Sequence, residues 1–422
     1  MIDINEIFDN MILESGAAGH MNHLFECDDL TFADIRNIMQ KIFCGDLELE
    51  EKIDGINLFI TYKNGKFCIA RNRKTLKDPL DYDKITSKYC NMPKEVRDAF
   101  MNSINDLSIA LSELDPVMLN KYFANGQNFL NCEIVYPPCS NVIDYGNKCF
   151  IVLHGIKCFN DKFKEVGNDT ESAAKLFELL SNNGALQQEM FEITKPNILR
   201  LKNTISAKKA LDYIMSKLEK FIDGVGWKCS IGQYVHDRYS RHIVNKALEY
   251  GIDISRNSDF VKSLAQRLSS LSHKRPTKSD LITYAKCDGI NYKTDEYKNF
   301  ISALESDVDI RNAEIIKPIE ELIMLAGILL MKNVTGFMAA DPSKTAKKIL
   351  SQLDDTILQF NDGKLDLTPE KIIRFKKNLA KIDKYHECMP AEGVVIRYNG
   401  KVYKLTGSWG PINQLLGIVK YK

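Results

Sequence analysis

The sequence predicts an α+β protein, with antiparallel strands near both ends of the chain and a large helical segment between them. Three observations predict it. Strand-like runs flank two Asn-Gly dipeptides, Asn64-Gly65 and Asn399-Gly400, whose residues tolerate the positive φ of a tight hairpin turn. Residues 160–389 instead repeat their apolar positions at helical spacing. No run of about 20 apolar residues offers a membrane span, and the best, 322–331, reads as part of a buried helix.

Residues 1–26 read as an irregular or helical lead-in containing Gly-His-Met-Asn-His at 19–23. His20 and His23 stand three apart and could share a helix face and hold a metal. With no third ligand near, ordinary packed or exposed histidines are the plainer reading. Thr31 then opens a helix, with Asp34 three residues on in a near capping box and Ile35, Ile38, Met39, Ile42 and Phe43 as its apolar face. Gly45 ends it. Residues 47–63 read as one strand containing Glu51-Lys52-Ile53-Asp54-Gly55-Ile56-Asn57, and 66–74 as its hairpin partner carrying Arg71 and Arg73. A helix follows over 93–114, with Val96, Phe100, Ile104, Leu107 and Leu111 on one face.

Two further β-runs, 129–136 and 149–157, complete the N-terminal part. Glu133 sits mid-run among apolar residues, a costly place for a carboxylate that is not paired, hydrogen-bonded or metal-bound. The helical segment shows apolar stripes at Leu211, Ile214, Leu218 and Phe221, and at Phe260, Leu264, Leu268 and Leu271. Asp341-Pro342 and Thr368-Pro369 read as helix starts. Basic residues recur along it: Arg238, Arg241 and His242; Lys274 and Arg275; Arg374, Lys376, Lys377 and Lys381. A solvated helix face explains each group singly, and a polyanion surface requires several to converge. The chain returns to strands at Glu392-Gly-Val-Val-Ile-Arg397 and Lys401-Val-Tyr-Lys404-Leu. The expected division is 1–160, 161–388 and 389–422, the first and last forming one domain around a helical insertion.

Composition bounds the rest. The 422 residues are 44% hydrophobic and 27% charged, an ordinary globular composition with room for two to three domains. A net charge of +1 makes any polyanion site a local patch. Eleven cysteines without a Cys-x-x-Cys pair point to reduced thiols inside a cell rather than to zinc. The N-terminus has no basic, apolar leader, so a cytoplasmic protein is expected.

Together these residues say more than any one of them. Lys52 and Asp54, Arg71, Glu133, Glu392 and Lys404 fall on separate β-runs. Carboxylates and cations on strands of one sheet suit a triphosphate with a divalent cation, because Mg²⁺ takes oxygen ligands and cations offset charge on a phosphorus under attack. A lysine becomes a nucleophile once deprotonated, and nearby cations with partial burial are expected to lower its pKa.

The order of these residues resembles the covalent nucleotidyltransferase superfamily of ATP-dependent DNA ligases, RNA ligases and mRNA capping enzymes. The resemblance implies an antiparallel-sheet, ATP-grasp-like ligase adenylation domain. Lys52-Ile-Asp-Gly matches the nucleotidyl-lysine motif, which implies Lys52 as the catalytic nucleophile. Glu51, Asp54, Asn57, Arg71, Glu133, Phe150, Lys401 and Lys404 are then the expected nucleotide-binding residues. Glu392, in Glu-Gly-Val-Val-Ile, would assist the metal, Mg²⁺ or Mn²⁺, and ATP would be the cofactor. Asn57, five residues after Lys52, resembles one RNA-ligase branch. The resemblance covers about 47–157 and 391–405. The chain is also similar to a group of phage proteins sharing the 404–417 ending, which suggests a phage-encoded origin and adds no activity.

The chain departs from the pattern in places. Val402 stands where the fifth motif has its first lysine. The base-stacking run reads Val152-Leu153-His154-Gly155-Ile156, leaving Phe150 or His154 to stack. Eighteen residues follow Lys404, so no C-terminal OB domain is expected. The expected activity is ATP-dependent joining of 5′-phosphate and 3′-hydroxyl polynucleotide ends through a lysine–AMP intermediate, on RNA before DNA. Arg73, Arg238, Arg241, Lys376 and Lys377 are the expected polynucleotide contacts, and no protein or membrane partner is indicated. The competing readings are another lysine-nucleotidylating transferase, of capping guanylyltransferase or adenylylating type, and a non-catalytic nucleic-acid-binding protein.

Overall fold

The computed structural model describes residues 21–139, 143, 145–201, 204–269, 276–334 and 392–406. Lys274, Arg275, Arg374, Lys376, Lys377, Lys381, the two expected helix starts at 341 and 368, residues 19–20 and the 407–417 ending lie outside them. The fold is α+β, with two antiparallel-rich sheets and a helical bundle.

The approach to the lysine motif is helix α1 (Phe32–Cys44). Thr31 Oγ1 accepts from the Asp34 amide at 3.1 Å while Asp34 accepts from the Thr31 amide, so the expected capping box is complete. Gly45, at φ 80°, ends the helix in the left-handed conformation that glycine adopts freely. The strand expected over 47–63 is in fact two, β1 (Leu49–Lys52) and β2 (Ile56–Lys63), and they belong to different sheets. The break falls at Ile53-Asp54-Gly55. A Cβ on Gly55 would lie 2.8 Å from the Ile134 carbonyl oxygen, so the backbone turns here because glycine lets it pass that close. Strand β3 (Lys66–Ala70) stops earlier than expected, because Asn72 caps a short helix α2 (Arg73–Lys77).

The larger sheet orders β3, β2, β4 (Asn128–Val135), β5 (Phe150–Phe159) and β6 (Glu165–Asp169), with β7 (Glu192–Thr194) parallel to β5. Between β3 and β4 run α3 (Tyr82–Lys88), α4 (Lys94–Ser112) and α5 (Pro116–Phe123). After β6 comes α6 (Thr170–Asn182). These helices cover one face of the sheet: Phe100, Ile104 and Leu107 pack with Leu58, Ile60, Ile134 and Leu153. The stripe expected on α4 is the buried one. Asp106, on the same helix and 1% exposed, accepts from the Met190 and Phe191 amides at 2.9 and 2.8 Å, which fixes the entry to β7.

The smaller sheet orders β10 (Lys401–Thr406), β9 (Gly393–Tyr398), β1 and β8 (Ile198–Leu199). Strands therefore continue well past residue 160, into the stretch that periodicity marked as helical. β6, β7 and β8 are five residues or fewer, too short for alternation to stand out against the surrounding helices.

One face of the smaller sheet rests on the bundle of α1, α7 (Ile205–Phe221), α8 (Ile231–Glu249), α9 (Ser258–Leu268), α10 (Lys278–Cys287), α11 (Asp295–Ser306) and α12 (Val308–Val334). Leu49, Val394, Ile396, Tyr403 and Leu405 are continuous with that core. No helix among the described residues is long and apolar enough to cross a membrane.

Candidate active site

Strand alternation divides β1 cleanly. Leu49 and Glu51 turn toward the bundle, and Glu50 and Lys52 toward the opposite face. In register, Glu50 lies beside Val395 and Lys52 beside Gly393, while Val395 in turn lies beside Lys404. Glu50, Lys52, Arg397 and Lys404 thus share the face that the bundle leaves uncovered. On the larger sheet the face away from α4 carries Asn57, Glu133 and Val152, which lie in one cross-strand row. The two faces meet where His154 bridges Glu50 and Glu133, and Lys52 sits where the chain passes from one sheet to the other.

Lys52 donates to Glu392, 340 residues away, and both side chains are 24% exposed. Burial presses the Lys52 amine down, but the carboxylates of Glu392, Glu133 and Asp54 outweigh it and raise its pKa. This corrects the expectation of a depressed lysine: carboxylates, not cations, dominate its surroundings here. Burial raises the Glu392 carboxyl, and the Lys52 ammonium offsets that in part. Lys404 is the nearby cation. Burial lowers its pKa, and the charge of Lys52 adds to the effect, with Glu26 and Glu392 opposing. Its backbone amide donates to Asn22, so the segment holding His23 pairs alongside β10.

The Asp54 carboxylate accepts from the Ile143 amide at 3.0 Å, and the Asp54 amide lies 3.5 Å from the Tyr145 hydroxyl. Ile53, Val135, Ile143, Tyr145 and Val152 form a small apolar cluster against which Phe150 packs, its ring 6.2 Å from Tyr145 in an edge arrangement. That cluster adjoins Lys52 through Ile53. His154 is held at both ring nitrogens. Its two ring nitrogens lie 2.9 Å from Glu50 Oε1 and 3.1 Å from Glu133 Oε2. The other Glu133 oxygen accepts from the Gly55 amide at 3.1 Å.

The structure thus brings Lys52, Asp54, Glu133, Glu392 and Lys404 together, with Phe150 at the margin. Glu51 lies on the bundle side of β1, 5% exposed and hydrogen-bonded by Asn197. Asn57 donates its amide hydrogens to Asn131 Oδ1 at 2.8 Å and the Cys132 carbonyl at 3.3 Å. Arg71 follows β3, with its guanidinium 5.2 Å over the Phe100 ring. Arg73 begins α2. Lys401 alternates with Lys404 and pairs with Asp29 near the surface. Arg238, over Tyr234 at 5.3 Å, and Arg241 are exposed on α8.

Comparison with known proteins adds little to this geometry. The chain matches no protein-family model and no curated protein. Among solved structures it is similar to a provisionally named ATP-dependent DNA ligase from Aquifex aeolicus, at 12% identity over 92% of this chain and 80% of that one, with a TM-score of 0.23. A likeness of that size carries no argument, and the site is read from its own residues.

Among the described residues no three His, Cys, Asp or Glu side chains are grouped to hold a metal ion. A single carboxylate, Glu392, fits Mg²⁺, which commonly takes one or two carboxylates and completes its shell with substrate phosphates and water. Glu50 and Arg397 are site residues that motif reading missed. Glu50 had a signal: it stands two residues before Lys52 on a strand, and so on the same face.

Proposed function

We propose that this chain is a nucleotidyl-lysine enzyme, and specifically an ATP-dependent polynucleotide ligase acting on RNA ends before DNA. The observation that carries the reading is the convergence of Lys52, Glu133, Glu392 and Lys404 in one place from segments near both ends of the chain. A half-buried ion pair adds little to stability, so such a cluster of charges points to a site rather than to a structural role.

In the proposed reaction Lys52 gives up its proton to water and attacks the α-phosphorus of ATP. An N–P bond forms and the bond to the pyrophosphate leaving group breaks. The oxygen of a 5′-phosphate then displaces the lysine, which regains its proton. Last, a 3′-hydroxyl attacks that end and AMP leaves. Lys404 offsets charge on the phosphates, and the Phe150 and Tyr145 rings receive the base. Mg²⁺ held by Glu392 would supply charge neutralisation at the phosphates. The helical bundle, through exposed residues such as Arg238 and Arg241, takes the polynucleotide, so affinity falls steeply with salt.

The test is incubation with α-phosphate-labelled ATP and, separately, GTP, followed by a denaturing gel and by sealing assays on nicked, splinted and single-stranded RNA and DNA. Label on the wild type and not on Lys52→Ala, with RNA sealing, is the expected result. Label without sealing would mean another nucleotidyltransferase. No label from protein cleared of bound nucleotide would leave a binding protein.

A further inference from the structure

The chain crosses from the smaller sheet to the larger in three residues, Ile53-Asp54-Gly55, immediately after Lys52. A crossing this short acts as a hinge unless side chains fix it. A row of charged groups spans it, and the reaction proposed above gives none of them a step. Arg397 on β9 donates to Glu50 Oε2 at 2.8 Å. Glu50 on β1 meets His154 on β5, and His154 meets Glu133 on β4. Glu133 closes the row on the Gly55 amide. Ionised carboxylates only accept hydrogen bonds, so a ring with a carboxylate at each nitrogen carries both protons and is an imidazolium. It is also well shielded, at 13% exposure, where charge-assisted bonds are strong.

We propose that His154 is a positioning residue: by bridging Glu50 and Glu133 it fixes the separation of the two sheets and holds Lys52 at the distance its attack requires. Lys52 stands two residues after Glu50 and three before Gly55, so its strand end is held from both sides. A reacting group displaced by about 1 Å can lose about 100-fold in rate. The role rests on the lysine chemistry proposed above, and its test separates the two.

Nitrogen-15 NMR of the histidine rings, without nucleotide, reads the bridge alone. In the intact chain His154 stays doubly protonated until about pH 9, where hydrogen bonds to Glu133 and Glu50 outweigh the opposing effect of burial. In Glu50→Gln it titrates closer to 6.5. A His154 that titrates near 6.5 in the wild type overturns the bridge, whatever the enzymology shows.

Single-turnover labelling of Lys52 against nucleotide concentration and pH reads the positioning. His154→Gln is expected to lower the maximal rate about 10- to 100-fold, to leave the half-saturating nucleotide concentration within about threefold, and to remove the break near pH 9, above which loss of the His154 proton offsets the growing free-amine fraction of Lys52. His154→Arg, which stays cationic, recovers part of the rate and moves that break to higher pH. A merely structural histidine would change the folded fraction and leave the rate and pH profile of the folded protein alone. That result overturns the proposal. A wild type that takes no label overturns both the lysine chemistry and the positioning role, and the NMR still decides whether the bridge exists.

Discussion

Between pH 6.5 and 9 the proton on His154 contributes to the stability of the whole site. Its folded-state pKa of about 9 lies above the ordinary 6.5, so the contribution is complete below pH 6.5 and disappears as pH rises through 9. A shift of that size corresponds to about 3 kcal/mol. Thermal unfolding followed from pH 6 to 10 is expected to show the wild type losing stability across this window and His154→Gln losing far less. Glu50 is coupled to it: burial would raise its carboxyl, but hydrogen bonds from His154 and Arg397 hold it below the ordinary value. Gly55 is the other sensitive residue. The Cβ of Gly55→Ala would meet Ile134 O at 2.8 Å and Glu133 Cγ at 2.9 Å, both in the strand that carries the site. Overpacking of this kind costs about 1–3 kcal/mol, measurable as a lower urea midpoint, and Lys52 labelling should fall with it. Of these residues the sequence marked Lys52, Asp54, Glu133, Glu392 and Lys404, because their types and order are distinctive. It did not mark the bridge. Glu50 and His154 stand 104 residues apart, and no local pattern links them.

At the scale of elements, α1 and α4 were legible because their apolar residues recur at helical spacing and α1 carries its cap in sequence. Thr31→Ala removes the hydroxyl that accepts from Asp34 and should cost about 1 kcal/mol, read from the chemical-denaturation midpoint. The division between β1 and β2 was not legible, because strand-like residues resume at once after Gly55. Only the close approach to β4 shows why the chain must turn there. The tie between α4 and β7 was equally hidden. Asp106→Ala would leave the buried Phe191 amide without its acceptor and free the more exposed Met190 amide to water, and a loss of about 1–3 kcal/mol is expected in the same denaturation assay.

At the scale of the molecule, the arrangement is two sheets joined at Ile53-Asp54-Gly55, each backed by its own helices and its own apolar core. Fold class was readable from where strands and helices cluster along the chain. The pairing of β1 with β9, from opposite ends of the chain, was readable only through the motif order. The central claim is that Lys52 becomes covalently nucleotidylated. It is tested most directly by intact-protein and peptide mass spectrometry after incubation with ATP and Mg²⁺, with GTP in parallel. The account predicts the mass of one AMP added to the protein, mapped to the peptide containing Lys52, and absent from Lys52→Ala. An unmodified protein with either nucleotide, or an adduct on any other residue, would contradict it.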